Sequence, residues 1–220
     1  SSFQVLGEIA ASSLGVGGIR QVEANGEVLY VATTQPNEVR AYYAANPAAP
    51  VLLGSAPVDM SLGMKLLNSG VLVGHNGMKL MSVLDVSTGV PGAWSSYMIP
   101  GAGPQSHGLA VWGSDRAAVL AAGTVRAITL GWSNGVPVVD SEVQTPATQM
   151  AFTISADRVY SAAAKLQKYD SAPNPAYMMH SSGSFSGVQT SQVWDPDGPG
   201  GQPEFVLVGM SGGYRVYARG

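Results

Sequence analysis

Gly18-Ile19, Ala24-Asn25-Gly26, Val28-Leu29-Tyr30-Val31, Val39-Arg40-Ala41-Tyr42 and Pro50-Val51-Leu52-Leu53-Gly54-Ser55 follow one another near the start of the chain. This stretch decides the fold because it recurs. A Gly followed by a large aliphatic residue returns at Gly63-Met64 and Gly108-Leu109, each 45 residues on. A short apolar run and a turn follow every time: Ala24-Asn25-Gly26, Asn68-Ser69-Gly70 and Gly113-Ser114-Asp115. A fourth copy runs from Gln149-Met150-Ala151-Phe152 to Ser155-Ala156-Asp157. A degenerate fifth runs from Thr190 to Trp194 into a long turn, Asp195 to Pro203. Repeats of this length signal stacked supersecondary units.

The second segment of each copy is a continuous apolar run: Val28 to Val31, Val71 to Val73, Ala118 to Leu120, Val159 to Ser161 and Phe205 to Val208. Such runs predict strands covered on both faces. A third segment mixes a basic or amide residue with apolar ones: Val39-Arg40-Ala41-Tyr42, Met78-Lys79-Leu80-Met81, Val125-Arg126-Ala127-Ile128, Leu166-Gln167-Lys168-Tyr169 and Tyr214-Arg215-Val216-Tyr217. The bland reading of Arg40, Lys79, Arg126, Lys168 and Arg215 is that each lays its aliphatic stem between units. A fourth segment follows a turn in the first four copies, at Pro50 to Ser55, Trp94 to Met98, Val136 to Val139 and Pro175 to Met179. The fifth copy lacks one, and Phe3-Gln4-Val5-Leu6-Gly7-Glu8 reads like Pro50 to Ser55. Pairing that strand onto the last unit closes a ring and removes exposed edges.

The expected fold is therefore all-β: a five-bladed β-propeller of four-stranded antiparallel blades, closed by the N-terminal strand. It is read as one domain, residues 1–220, with blades at about 13–58, 59–101, 102–146, 147–182 and 183–220 plus 3–10.

Asn46-Pro47-Ala48-Ala49-Pro50-Val51-Leu52-Leu53-Gly54-Ser55, preceded by Val28-Leu29-Tyr30-Val31-Ala32, resembles the LVIVD repeat. Leu84-Asp85-Val86-Ser87 and Tyr169-Asp170-Ser171-Ala172-Pro173-Asn174-Pro175 resemble the same segment. The resemblance implies a propeller and a secreted or cell-surface location, and it supplies no catalytic residues.

Composition agrees with this reading. Charged residues make up 11% of the 220, against roughly 25% in an ordinary domain. The 28 glycines and 14 prolines are spread along the chain, as frequent turns require. A net charge of −3 argues against nucleic acid as partner. The absence of cysteine removes disulfides and thiolate chemistry. No apolar run reaches the roughly 20 residues of a membrane span, so no membrane insertion is expected. A start at Ser1 is what a processed product or an excised piece presents.

Catalytic signatures read weakly. Gly131-Trp132-Ser133-Asn134-Gly135 and Gly209-Met210-Ser211-Gly212-Gly213 match a nucleophile elbow in letters, but each joins two strands where the elbow needs a following helix. A glycoside hydrolase, the enzyme rival, needs paired carboxylates. Only Asp59 precedes an inner strand on the expected side. His75, His107 and His180 occupy different places in the repeat, so no metal site is expected. Asp195-Pro196-Asp197-Gly198 has the look of a calcium loop without its remaining ligands. No cofactor is assigned.

Binding residues are expected where loops between blades meet loops between second and third strands. That rim carries Asn37, Glu38, Asp59, Ser61, His75, Asn76, Ser106, His107, Gln149, Gln189 and Thr190, with Gln35, Gln105 and Thr148 beside them. Amides, hydroxyls and imidazoles suit a glycan or a protein surface. The expected function is a non-catalytic binding or adhesion module at a cell or particle surface. The alternatives are a structural domain within a larger assembly and the hydrolase.

Overall fold

The computed structural model describes residues 10–47, 49–78, 80–100, 104–112, 114–121, 124–144, 151–155, 158–162, 166–170, 177–179, 188–194, 205–210 and 213–218. A single 3-10 turn, Ala11–Leu14, leads into the first sheet. That sheet, A, contains β1 (Gly18–Asn25), β2 (Val28–Thr34), β3 (Glu38–Tyr43) and β4 (Val51–Ala56). Sheet B contains β5 (Gly63–Leu66), β6 (Val71–His75), β7 (Leu80–Asp85) and β8 (Trp94–Met98). Sheet C contains β9 (Pro104–Trp112), β10 (Arg116–Ala121), β11 (Thr124–Ser133) and β12 (Val136–Gln144). Sheet D contains β13 (Ala151–Ser155), β14 (Arg158–Ala162), β15 (Leu166–Asp170) and β16 (Tyr177–Met179). Sheet E contains three described strands, β17 (Val188–Trp194), β18 (Phe205–Met210) and β19 (Gly213–Ala218). Every pairing is antiparallel, and strand order follows the chain. The first strands touch in succession, β1 with β5, β5 with β9, β9 with β13 and β13 with β17.

Among the described side chains, the second strand of sheet B is buried from both sides. In sheet B, Val71, Val73, Met81 and Val83 pack with Leu109, Ala117, Val119 and Ile128 of sheet C. Leu72 and Leu84 point the other way, into a core with Tyr30, Ala32, Val39 and Ala41 of sheet A. Successive residues of one strand thus serve two cores, which is why period-two alternation is missing from the sequence. Turn chemistry fixes the hairpins. Asn134 and Gly135 take φ of 51° and 76° between β11 and β12, the left-handed pair of a two-residue hairpin. Asp85 Oδ1 accepts from the Ser87 amide at 2.9 Å, so Asp85 organises the turn after β7. The Tyr30 hydroxyl donates to the Val86 carbonyl in that turn, tying sheet A to sheet B.

The third-strand cations share one register in four of the five sheets. The cross-strand partners of Val31, Val119 and Val208 are Arg40, Arg126 and Arg215. Each is the third pair from the hairpin end; in sheet D that pair is Tyr160 with Lys168, and in sheet B it is Val73 with Val83. Lys168 thus shares the register of the three arginines. Lys79 lies outside the described residues. The expected register fails in sheet B because β7 begins only at Leu80.

Two of these arginines do the same job. Arg40 donates to the carbonyl of Leu14 at 2.5 Å and pairs with Glu38 at 2.6 Å. Arg126 donates to the carbonyl of Pro100 at 2.9 Å and pairs with Glu142, which also accepts from the Tyr97 hydroxyl at 2.7 Å. Each arginine clips its sheet to the segment that enters it. In sheet B an apolar plug stands in that place. Met60, fully buried, lies against Gly74, where a β-carbon would collide with it.

Candidate functional site

Three segments of different origin converge at one end of sheets A and B. Residues 35–37 join β2 to β3, residues 57–62 join sheet A to sheet B, and residues 76–78 follow β6. Asp59 sits at their junction. Its Oδ1 accepts from the Ser61 amide at 3.1 Å. Its Oδ2 accepts from Asn37 Nδ2 at 3.1 Å and from Asn76 Nδ2 at 3.5 Å. Asn76 Oδ1 in turn accepts from the Met78 amide at 2.9 Å. The hub thus joins both loops to the connection between the sheets. Gln35 flanks it in the left-handed region, with φ of 55°, and its side chain lies against Gly17. Strain of this kind at a non-glycine residue concentrates where function holds the backbone.

Four of the rim residues read from the sequence therefore come together: Asn37, Asp59, Ser61 and Asn76. Two others do not join them. His75 is the last residue of β6, fully buried, and offers no surface to a ligand. Its ring fits because Gly63 opposite has no β-carbon to occupy the space. Glu38 turns to Arg40, so its carboxylate is committed to an ion pair. Ser106 and His107 lie on β9, and Gln189 and Thr190 on β17, so strands and not loops carry them. Their side chains lie outside the described residues, as do Gln149 and the Asp195 to Gly198 segment. What letters alone missed is the apolar border of the hub. Met78 is 76% exposed and Leu62 39% exposed.

Among the described residues, no group of three His, Cys, Asp or Glu could hold a metal ion. No helix among them is long and apolar enough to cross a membrane. The first Gly-x-Ser-x-Gly string ends β11 and turns at Asn134-Gly135 into β12. The second spans the join between β18 and β19, of which residues 211 and 212 lie outside the described residues.

No protein-family model and no curated protein sequence matches the chain. Solved structures do. The β-propeller domain of Cps50 (Swd1) from Myceliophteria thermophila superposes with a TM-score of 0.62 at 11% identity, covering 89% of this chain and 68% of that one. BBS1N, solved in complex with ARL6DN, superposes with a TM-score of 0.55 at 18% identity, covering 86% of this chain. The fold is a β-propeller. This chain spans 60% of the BBS1N chain, and at these identities the likeness concerns the fold alone.

Proposed function

We propose that this propeller is a non-catalytic binding module that recognises a protein or glycan surface through the rim between its first two blades, at the surface of a cell or particle. The observation that carries the reading is the Asp59 hub. Loops from two blades and their connection are fixed around one carboxylate by Asn37, Asn76 and the Ser61 amide. Rigid strands hold these groups in place, and their donors and acceptors lie at the molecular surface, which is how propellers present recognition loops. BBS1N, a structural neighbour, was solved with a protein bound, and that supports a protein partner. The LVIVD-like segments support the surface location.

The same proposal takes the molecule as five blades, with Phe3 to Glu8 completing sheet E. Sheet E supports it, since three of its strands are described where each of the other sheets has four. A second reading, a structural domain in a larger assembly, is favoured by the outer strand β4, whose Val51, Leu52 and Leu53 are all exposed.

Screening the protein on a glycan array and by partner pull-down, beside the double variant Asn37→Ala/Asn76→Ala, tests the binding role. Binding that the variant loses supports the rim. No binding on either platform overturns it in favour of assembly.

A further inference from the structure

We infer that the Asp59 hub docks a basic side chain, Lys or Arg, of a protein partner. This rests on the binding reading above and narrows it from any polar surface to a cationic one.

All three bonds to the Asp59 carboxylate come from neutral donors, two side-chain amides and one backbone amide. The other rim acid, Glu38, is matched by Arg40. Among the described residues, then, no Lys or Arg pairs with Asp59. Its position is set in advance by three segments, so a docking cation has little ordering left to do. The chain neighbours Met60 and His75, next to Asp59 and Asn76, are fully buried, which fixes the backbone on which the hub stands.

The borders fit the same occupant. Met78 is bonded to Asn76 through its amide, and Leu62 to the His75 carbonyl at 3.1 Å, so the backbone carrying both exposed apolar side chains is tied to the hub segments. A Lys or Arg presents a long aliphatic stem and a charged head, and needs apolar walls ending in an acceptor. Methionine adapts to varied stems. A neutral sugar would satisfy the amides and leave both the charge and the apolar walls unmatched.

The test uses the 15N-labelled protein and two probes, N-acetyl-arginine amide and its neutral isostere N-acetyl-citrulline amide. The arginine probe is expected to shift the side-chain amides of Asn37 and Asn76 and the Ser61 amide, with a response that weakens as salt is raised. The citrulline probe is expected to leave them in place. Asp59→Asn should reduce the arginine response to the citrulline level. Met78→Ser, which removes an exposed side chain and leaves the hub bonds intact, should weaken it several-fold. Equal shifts from both probes, or an arginine response that survives both substitutions, overturn the inference. Glycan binding at these residues without an arginine response overturns the cationic partner while leaving the rim's binding role standing.

Discussion

A β-carbon at Gly74 would fall 2.6 Å from the carbonyl oxygen of Gly63 and just as near the β-carbon of Met60. Backbone cannot give way as a flexible side chain can. Gly74→Ala is therefore expected to destabilise the protein by about 1–3 kcal/mol, measured by urea unfolding. The same neighbourhood shows where single residues mislead. Gly74-His75-Asn76-Gly77 reads as a turn, yet its first two residues finish β6. Room for the imidazole comes from Gly63, on another strand, and nothing local announces it. Asp59 was legible for the opposite reason: its place just before an inner strand follows from the repeat. Its partners Asn37 and Asn76 were legible as loop residues, though their meeting at one carboxylate depends on how two sheets approach each other.

At the level of elements, the blade junctions are held by polar clips set in apolar cores. Arg126 and Glu142 are 8% and 12% exposed, and the Arg126 Nε has no partner among the described residues. Removing one charge strands the other, so Arg126→Leu should cost about 3 kcal/mol, and Arg126→Leu/Glu142→Leu distinctly less. Urea unfolding of both variants checks this; equal losses would contradict it. Tyr97 gives a pH signature. Its hydrogen bond to the Glu142 carboxylate, helped by burial, raises its pKa above the usual 10.0. A raised pKa means the protonated tyrosine is favoured in the folded state. The stability it adds is complete below pH of about 10 and disappears as pH climbs through the raised value. Wild type should exceed Tyr97→Phe by about 1 kcal/mol at neutral pH, a modest figure because the site is only half-buried, and the gap should close in alkali. A gap that persists above that range would count against the bond. The strands themselves were readable because two-sided burial writes unbroken apolar runs. Their register was not, since the start of β7 depends on a turn length that the letters Lys79 and Arg40 do not encode.

On the scale of the whole molecule, sheets A to D have four strands each and sheet E has three described strands. The 3-10 turn at Ala11–Leu14 is bonded to Arg40, whose face of sheet A points away from the core shared with sheet B. That turn thus lies on the side where a closing blade would stand. An unpaired β19 would leave backbone groups unsatisfied along an open edge. Deleting Ser1 to Ala10 is accordingly expected to lower the melting temperature of the whole domain, where loss of a mere tail would leave it unchanged. Sheet A supplies the register. Ala41 pairs with Gly54 and Arg40 with Ser55, so the matching residues would set Gly7 opposite Val216 and Glu8 opposite Arg215.

The chain has no cysteine, which makes the decisive measurement clean. Gly7→Cys/Val216→Cys, with Val5→Cys/Val216→Cys as a shifted register, would be oxidised under mild conditions and mapped by peptide mass. A closed ring predicts a disulfide within one molecule at the first pair, and a slipped register one at the second. No disulfide at either pair, or one found only between molecules, would contradict a ring closed by its own first strand.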